Sequence, residues 1–270
     1  MRIKLVQITF LIFLFSQVSW ASGVDPNTQE FQLSNGLKLI VREDHRAPTV
    51  AHMVWYRAGS MDETNGRTGV AHVLEHMMFK GTEKVKSGEF SRLVAAIGGR
   101  ENAFTSRDYT AYFQQVEKTK LDEVIRLEAD RMSNLNFDDA EFLKEIQVVM
   151  EERRLRTEDN PSSLLNEALM ATAFMSSPYR HPVVGWMNDL QNMTANDARD
   201  WYRSWYKPNN ATVVIAGDVD AKQVLATVKK YYGAIAAKEL PVRKPQLEPR
   251  SEEHTSELHH GYISYAVFCL

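Results

Sequence analysis

The sequence is poor in cysteine, in surplus positive charge and in long apolar runs. Cys269 is the only cysteine among the 270 residues, so disulfide bonds have no part in the fold. The formal net charge is -3, and no cluster of lysines and arginines has aromatic residues between them, which argues against a nucleic-acid partner. With 44% hydrophobic and 25% charged residues, the composition is nevertheless that of an ordinary globular protein with a sizeable core.

Residues 1–21 have the pattern of a secretory signal peptide. Arg2 and Lys4 precede an apolar run at residues 8–15, and residues 19–21 offer small side chains where a signal peptidase requires them. A membrane anchor is the alternative, but polar residues interrupt a segment that is already shorter than the roughly 20 apolar residues of a membrane span. We therefore expect cleavage, no stable membrane anchor, and export across the inner membrane to the periplasm of a two-membrane bacterial host.

Residues 250–270 look foreign to the rest of the chain. The segments RSEEHTSEL and ISYAVFCL resemble the in-frame translation of a common sequencing-library adapter. The alternative is a natural polar linker followed by an apolar strand. We expect an artefactual tail, with the natural protein cut near Pro249 and continuing further.

Residues 22–249 contain no linker rich in proline, glycine and serine before the stretch that starts at Lys238, so we expect one domain that ends in the start of an interdomain linker. Asn35-Gly36 between alternating apolar residues predicts one hairpin, and residues 102–116 predict a second. Apolar residues at helical spacing predict a central run of helices between groups of antiparallel strands. The fold class expected is therefore α+β, an antiparallel sheet flanked by helices.

The stretch GVAHVLEHMMFKGT, residues 69–82, places His72, Glu75 and His76 in a segment that otherwise predicts a buried helix. Helical residues four apart lie about 5–6 Å from each other on one face, so the two imidazoles can point at a single zinc ion. Glu75 would be close enough to reach a water on that metal, and the order His-x-x-Glu-His is that of an inverted zincin. The alternative is a pair of hydrogen-bonded core histidines.

A catalytic zinc ion needs a third protein ligand, and Glu152 is the candidate on a second predicted helix. Its neighbours Val148, Val149 and Leu155 would place the carboxylate on the apolar face of that helix. A carboxylate buried there without a partner would cost several kcal/mol, so a cation is expected beside it.

Glu145 lies two turns before Glu152 and could orient a ligand or share a proton. From spacing alone, the alternative is equally open: Glu145 and Glu152 would be surface carboxylates paired with Arg153 and Arg156.

These motifs together resemble the zinc site of the pitrilysin and insulysin family, to which the mitochondrial processing peptidase is also similar. His76 and Glu152 are 76 positions apart, which fits the third ligand of that family. The resemblance extends over essentially all of residues 25–240, and its most specific segments are residues 72–76, 98–113, 145–152 and 181–220.

The resemblance implies roles for five residues of the site. His72, His76 and Glu152 would be zinc ligands, Glu75 the general base, and Glu145 a supporting acidic residue of the catalytic site. The implied cofactor is Zn²⁺, and a structural zinc site is disfavoured because such sites are usually rich in cysteine.

In relatives of this kind, the strand that matches Asn102, Ala103 and Phe104 receives the substrate as an added β-strand, a mode that depends little on side chains. The implied activity is hydrolysis of extended peptides or small unfolded proteins by a clamshell whose homologous second half lacks the metal. That half is absent from this sequence, which leaves open whether this chain alone hydrolyses peptides. The alternative is a non-catalytic partner subunit or the peptide-binding half of a two-part peptidase.

Overall fold

The computed structural model describes residues 26–249, so the predicted signal peptide and the suspected tail lie outside the described residues. These residues form a six-stranded sheet with helices packed against it. Its strands are β1 (Thr28–Gln32), β2 (Lys38–Glu43), β3 (Thr49–Tyr56), β4 (Arg100–Thr105), β5 (Thr110–Glu117) and β6 (Ala211–Gly217).

The order across the sheet is β1-β2-β6-β3-β5-β4, which confirms the α+β class and leaves β4 at one edge. All neighbouring pairs are antiparallel except β2 and β6, which run parallel, with Lys38 opposite Thr212. The sheet is therefore mixed. Local patterns could not show this, because β2 and β6 come from opposite ends of the chain.

Both predicted hairpins are present. In the first, Gly36 takes a left-handed φ of 84° between β1 and β2, and the Leu33 amide donates to the Leu37 carbonyl at 2.9 Å. In the second, β4 and β5 pair along their length, from Arg100 opposite Gln115 to Thr105 opposite Thr110.

Residues 26–249 contain eight α-helices, and apolar residues at helical spacing predict all but one of them. The exception is α6, whose six residues are too few to show a helical period. The helices are α1 (Val70–Met77), α2 (Glu89–Ala96), α3 (Leu121–Asn134), α4 (Asp139–Arg153), α5 (Pro161–Ala173), α6 (Met187–Asn192), α7 (Ala195–Trp205) and α8 (Ala221–Tyr231).

Two helices bring the candidate ligands together. Helix α1 buries Val73, Leu74 and Met77 completely and packs against α7, α4 and β4. Helix α4 is capped by the Asp138 side chain, which accepts from the Glu141 amide at 2.7 Å, and the helix runs on into a π-helical turn, Arg154–Glu158. Within the described residues, no helix is long and apolar enough to cross a bilayer.

Candidate metal centre

The start of α1 is held by a buried carboxylate outside the helix. Gly69, the residue before α1, has a φ of 87° and has no side chain that could cap the helix. Instead Glu63 accepts from the amides of Gly69 at 2.8 Å and Ala71 at 2.9 Å. Burial raises the pKa of Glu63 to about 8, although the two amide hydrogen bonds act in the opposite direction.

A second carboxylate fixes the turn that precedes α1. Asp189 Oδ2 accepts from the Thr68 hydroxyl at 2.6 Å and from the amides of Gly66 and Thr68. The backbones also touch: a Cβ on Gly69 would lie 2.5 Å from the Val184 carbonyl oxygen. Helix α1 therefore begins at a defined place against the segment that leads into α6.

His72, His76 and Glu152 converge. The His72 and His76 rings lie one turn apart on α1, with centroids 4.8 Å from each other. Glu152 on α4 reaches both: its carboxylate oxygens lie 3.8 Å from His72 Nε2 and 3.4 Å from His76 Nε2. One ligand atom from each of the three lies within 4.8 Å of the others.

This spacing fits a zinc ion. Nitrogen and oxygen donors on a tetrahedral zinc ion lie about 3.3 Å apart, given metal–ligand distances of about 2.0–2.1 Å. The distances from the Glu152 carboxylate oxygens to His72 Nε2 and His76 Nε2, 3.8 Å and 3.4 Å, are within about half an ångström of that value. Three protein donors leave a fourth position for water, which is the arrangement of catalytic sites, and no cysteine lies between residues 26 and 249 to complete a structural one.

The two imidazoles differ in protonation, and only that of His72 already suits metal binding, which requires a neutral ring. Burial, assisted by the nearby charges of His76 and Arg156, lowers the pKa of His72 to about 3, so this ring is neutral. Burial also acts to lower the pKa of His76, but its hydrogen bond to Glu145 and the carboxylates around it raise that pKa overall.

Glu145 orients His76. Its Oε1 lies 2.9 Å from His76 Nδ1, and its other oxygen pairs with Lys80. A proton on Nδ1, donated to Glu145, leaves Nε2 free for a metal, as in the carboxylate–histidine pairs of many zinc sites. The hydrogen bond from His76 holds the pKa of Glu145 down at about 2.

Glu75 stands beside the trio and carries a hydrogen bond that the sequence did not predict. The Thr105 hydroxyl, on the edge strand β4, donates to Glu75 Oε2. Burial raises the pKa of Glu75 above its ordinary value, and the Thr105 hydrogen bond opposes that shift. Thr105 directly follows the predicted substrate strand, but no local pattern pairs it with Glu75.

The surroundings of Glu152 differ from the expected apolar face. Val149 is buried, but the Val148 and Leu155 side chains are 50% and 70% exposed. The alternative hypothesis pairs Glu152 with surface arginines. Arg156 does pair with Glu152 at 2.5 Å, whereas Arg153 is buried. The predicted apolar face is therefore wrong, and Glu152 is half-buried because it faces the cleft beside α1.

The predicted substrate strand forms one wall of this cleft. Asn102, Ala103 and Phe104 line a cavity of about 840 Å³ together with the candidate ligands His72, His76 and Glu152. Since β4 is an edge strand, one side of its backbone is not paired within the sheet. The Ala103 amide donates to the neighbouring Asn102 side chain at 2.9 Å, a contact that a peptide strand could displace.

Known proteins show the same architecture. A zinc protease, PqqE, from Helicobacter pylori is 38% identical over 211 residues, which cover 78% of this chain and 48% of the relative. The crystal structure of a protease from Helicobacter pylori superposes with a TM-score of 0.80 at 36% identity, covering 83% of this chain and 55% of that one. The periplasmic protease PqqL from Escherichia coli gives a TM-score of 0.78 at 25% identity, covering 84% of this chain and 26% of that one.

The chain spans about half the length of the curated relatives it matches. Two family models match it. Residues 192–263 match the model described as the peptidase M16 inactive domain. Residues 38–185, more than half of the chain and including every predicted site residue, match the insulinase model. The chain belongs to the insulinase family, peptidase family M16.

Proposed function

We propose that this protein is the catalytic part of a zinc-dependent endopeptidase that hydrolyses extended peptides or small unfolded proteins. The observation that carries the proposal is the convergence of His72, His76 and Glu152 within 4.8 Å, with the Glu75 carboxylate beside them. These four residues supply three ligands and one base, the minimum set of an inverted zincin.

The side chains of the site have distinct tasks. A bound zinc ion would supply Lewis acidity, polarising a peptide carbonyl and lowering the pKa of a water molecule. Glu75 takes the proton from the attacking water and passes it to the leaving amine. Thr105 holds one oxygen of Glu75, and Glu145 holds His76 in the ligating tautomer.

The edge strand β4 is the proposed binding site for substrate backbone. A peptide that adds to the sheet beside Asn102, Ala103 and Phe104 would pass along the wall of the cleft that contains Glu75. Main-chain hydrogen bonds provide affinity in this mode, so it suits extended chains of varied sequence.

The complete protein is proposed to be larger. We infer that residues 22–249 form the catalytic domain, that residues 250–270 are an artefactual tail, and that a homologous second half, on the same chain or a partner subunit, completes the enzyme. The proposed location is the periplasm, supported by the signal-like residues 1–21 and by the similarity to a periplasmic protease.

The substitution Glu75→Gln tests the mechanism, ideally in the reading frame recovered beyond Pro249. We expect the variant to keep its zinc and to lose cleavage of a quenched fluorescent peptide, because Gln cannot accept the proton. Cleavage at the parent rate would contradict the assignment. A parent protein that holds zinc and binds peptide without cleaving it would favour the alternative, a non-catalytic subunit.

A further inference from the structure

The carboxylates that line the cleft are all engaged. Glu75 accepts the hydroxyl of Thr105, and Glu152 faces the two histidines of the trio. Glu167 bonds through both oxygens to the buried Arg153, with two distances of 2.8 Å. None of the three is available to neutralise another cation in the cleft.

Arg107 and Arg180 line the same cleft, and neither has a carboxylate oxygen within 4.0 Å in the part of the chain that the structure describes. Arg107 Nε donates to the Tyr179 carbonyl at 3.4 Å, and its guanidinium lies 5.8 Å from the centre of the Tyr179 ring. Arg180 Nη1 donates to the Met175 carbonyl at 3.3 Å. Each guanidinium has five N–H donors, so most of them face the cleft or solvent.

The nearby acids bind other groups. Asp108 accepts the Tyr179 hydroxyl at 2.5 Å. Glu248 accepts from the backbone amides of residues 175–177. Both arginines line one cleft and are half-buried, and Arg107 contacts Tyr179, the residue directly before Arg180. The hydrogen bond from the Met175 amide and, more weakly, the nearby charge of Arg180 lower the pKa of the Glu248 carboxyl. Neither guanidinium, however, has a carboxylate within 4.0 Å among the described residues, so both can bind one from a ligand.

The location relates this pair to the reacting bond. Thr105, the last residue of β4, contacts Glu75, and Arg107 follows two residues later in the turn between β4 and β5. At about 3.3 Å per residue, a peptide extended along β4 covers the distance from Glu75 to Arg107 in two or three residues. A substrate side chain at that distance from the scissile bond would reach the pair.

We propose that Arg107 and Arg180 form a carboxylate-binding subsite that makes the cleft favour peptides with Asp, Glu or a free C-terminal carboxylate two or three residues from the scissile bond. The inference rests on the proposed function, since it requires that peptides bind in the cleft. Arginine presents a planar fork of donors that matches a carboxylate, and this geometry distinguishes the subsite from a diffuse positive surface.

The test measures peptide affinity in the zinc-loaded 270-residue chain carrying Glu75→Gln, which prevents turnover. Fluorescent peptides that differ only by Glu or Gln at the second or third position on either side of the central bond are compared. One further pair ends in a free acid or an amide, which separates the two sources of a carboxylate. We expect the acidic peptides to bind about tenfold more tightly, and added salt to reduce the difference.

The matched variants are Arg107→Gln with Arg180→Gln, and Arg154→Gln as control, because Arg154 pairs with Glu151 and does not line the cleft. The double variant should bind Glu and Gln peptides equally, with affinity for the Gln peptide changed less than about twofold. Equal affinity of the parent for both peptides, or discrimination that survives the double variant, would overturn the subsite. A zinc-loaded parent that binds none of the peptides would overturn the proposed function as well.

Discussion

At the scale of single residues, the proposed metal centre depends on which nitrogen of His76 carries the proton. Glu145 decides this by lying 2.9 Å from Nδ1, so that Nε2 faces Glu152 at 3.4 Å. From the sequence, Glu145 is expected two turns before Glu152. Its contact with His76 could not be predicted, because the two residues are 69 positions apart and lie on different helices.

Removal of Glu145 should therefore weaken zinc binding without abolishing it. We expect Glu145→Ala to lower zinc affinity about 10- to 100-fold, since the ring of His76 loses the group that orients it. Glu141→Ala, one turn earlier on α4 and paired with Lys144, is the matched control. Competition with a chromophoric chelator measures both, and equal affinities in the two variants would remove Glu145 from the site.

The buried carboxyl of Glu63 should make stability depend on pH. Its pKa in the folded chain is about 8, above its ordinary value of 4.5, so the folded state favours the protonated form. Its contribution to stability is present in full below about pH 4.5 and is lost as the pH rises through 8.

The metal-free parent should thus lose unfolding free energy between pH 5 and pH 8 more steeply than Glu63→Gln, whose side chain does not titrate. Urea unfolding at a series of pH values measures this, with Glu151→Gln as a control at an exposed carboxylate. Parallel pH profiles for the parent and Glu63→Gln would show that Glu63 is not responsible.

At the scale of elements, the site exists because α1 starts at a fixed point. Apolar spacing predicts the helix, and it is found, but the carboxylates of Glu63 and Asp189 that hold its first turn come from outside it. Neither gave a signal in the sequence, because such contacts follow from tertiary packing. The same limit applies to the parallel pairing of β2 with β6 and to the short helix α6.

Two glycines before α1 allow this docking to be tested. Gly66 and Gly69 both have a φ of 87°, but a Cβ on Gly66 meets nothing within 4 Å, whereas one on Gly69 lies 2.5 Å from Val184 O. Gly66→Ala should cost about 1–2 kcal/mol for the left-handed backbone alone. Gly69→Ala should cost about 1–3 kcal/mol more, because the backbone of residue 184 must move. Urea unfolding of both variants measures the difference, and equal losses would contradict the close approach.

At the scale of the whole molecule, α5 is the element that this part of the chain does not cover. None of its residues is buried, and its large apolar side chains Leu164, Leu165 and Leu169 are 42%, 71% and 59% exposed. A helix with this much apolar surface in water is unusual for a finished soluble surface.

This surface should bind a hydrophobic dye. We expect Leu165→Ser with Leu169→Ser to lower the fluorescence of added ANS while the unfolding midpoint stays within a few degrees, because neither side chain belongs to the core. Leu74→Ser is the opposite case, since Leu74 is fully buried and its replacement should unfold the chain. Unchanged dye binding in the α5 variant would show that the helix is covered in solution.

The proposed site requires that α1 and α4 bring the imidazoles of His72 and His76 and the carboxylate of Glu152 to a single zinc ion. Metal content by native mass spectrometry tests it most directly in a pair of neighbouring variants on α4, Glu152→Ala and Glu151→Ala, since only Glu152 faces the histidines. We expect one zinc ion per chain in the parent and in Glu151→Ala, and little or none in Glu152→Ala. A full equivalent of zinc in Glu152→Ala, or a parent that takes up none, would contradict it.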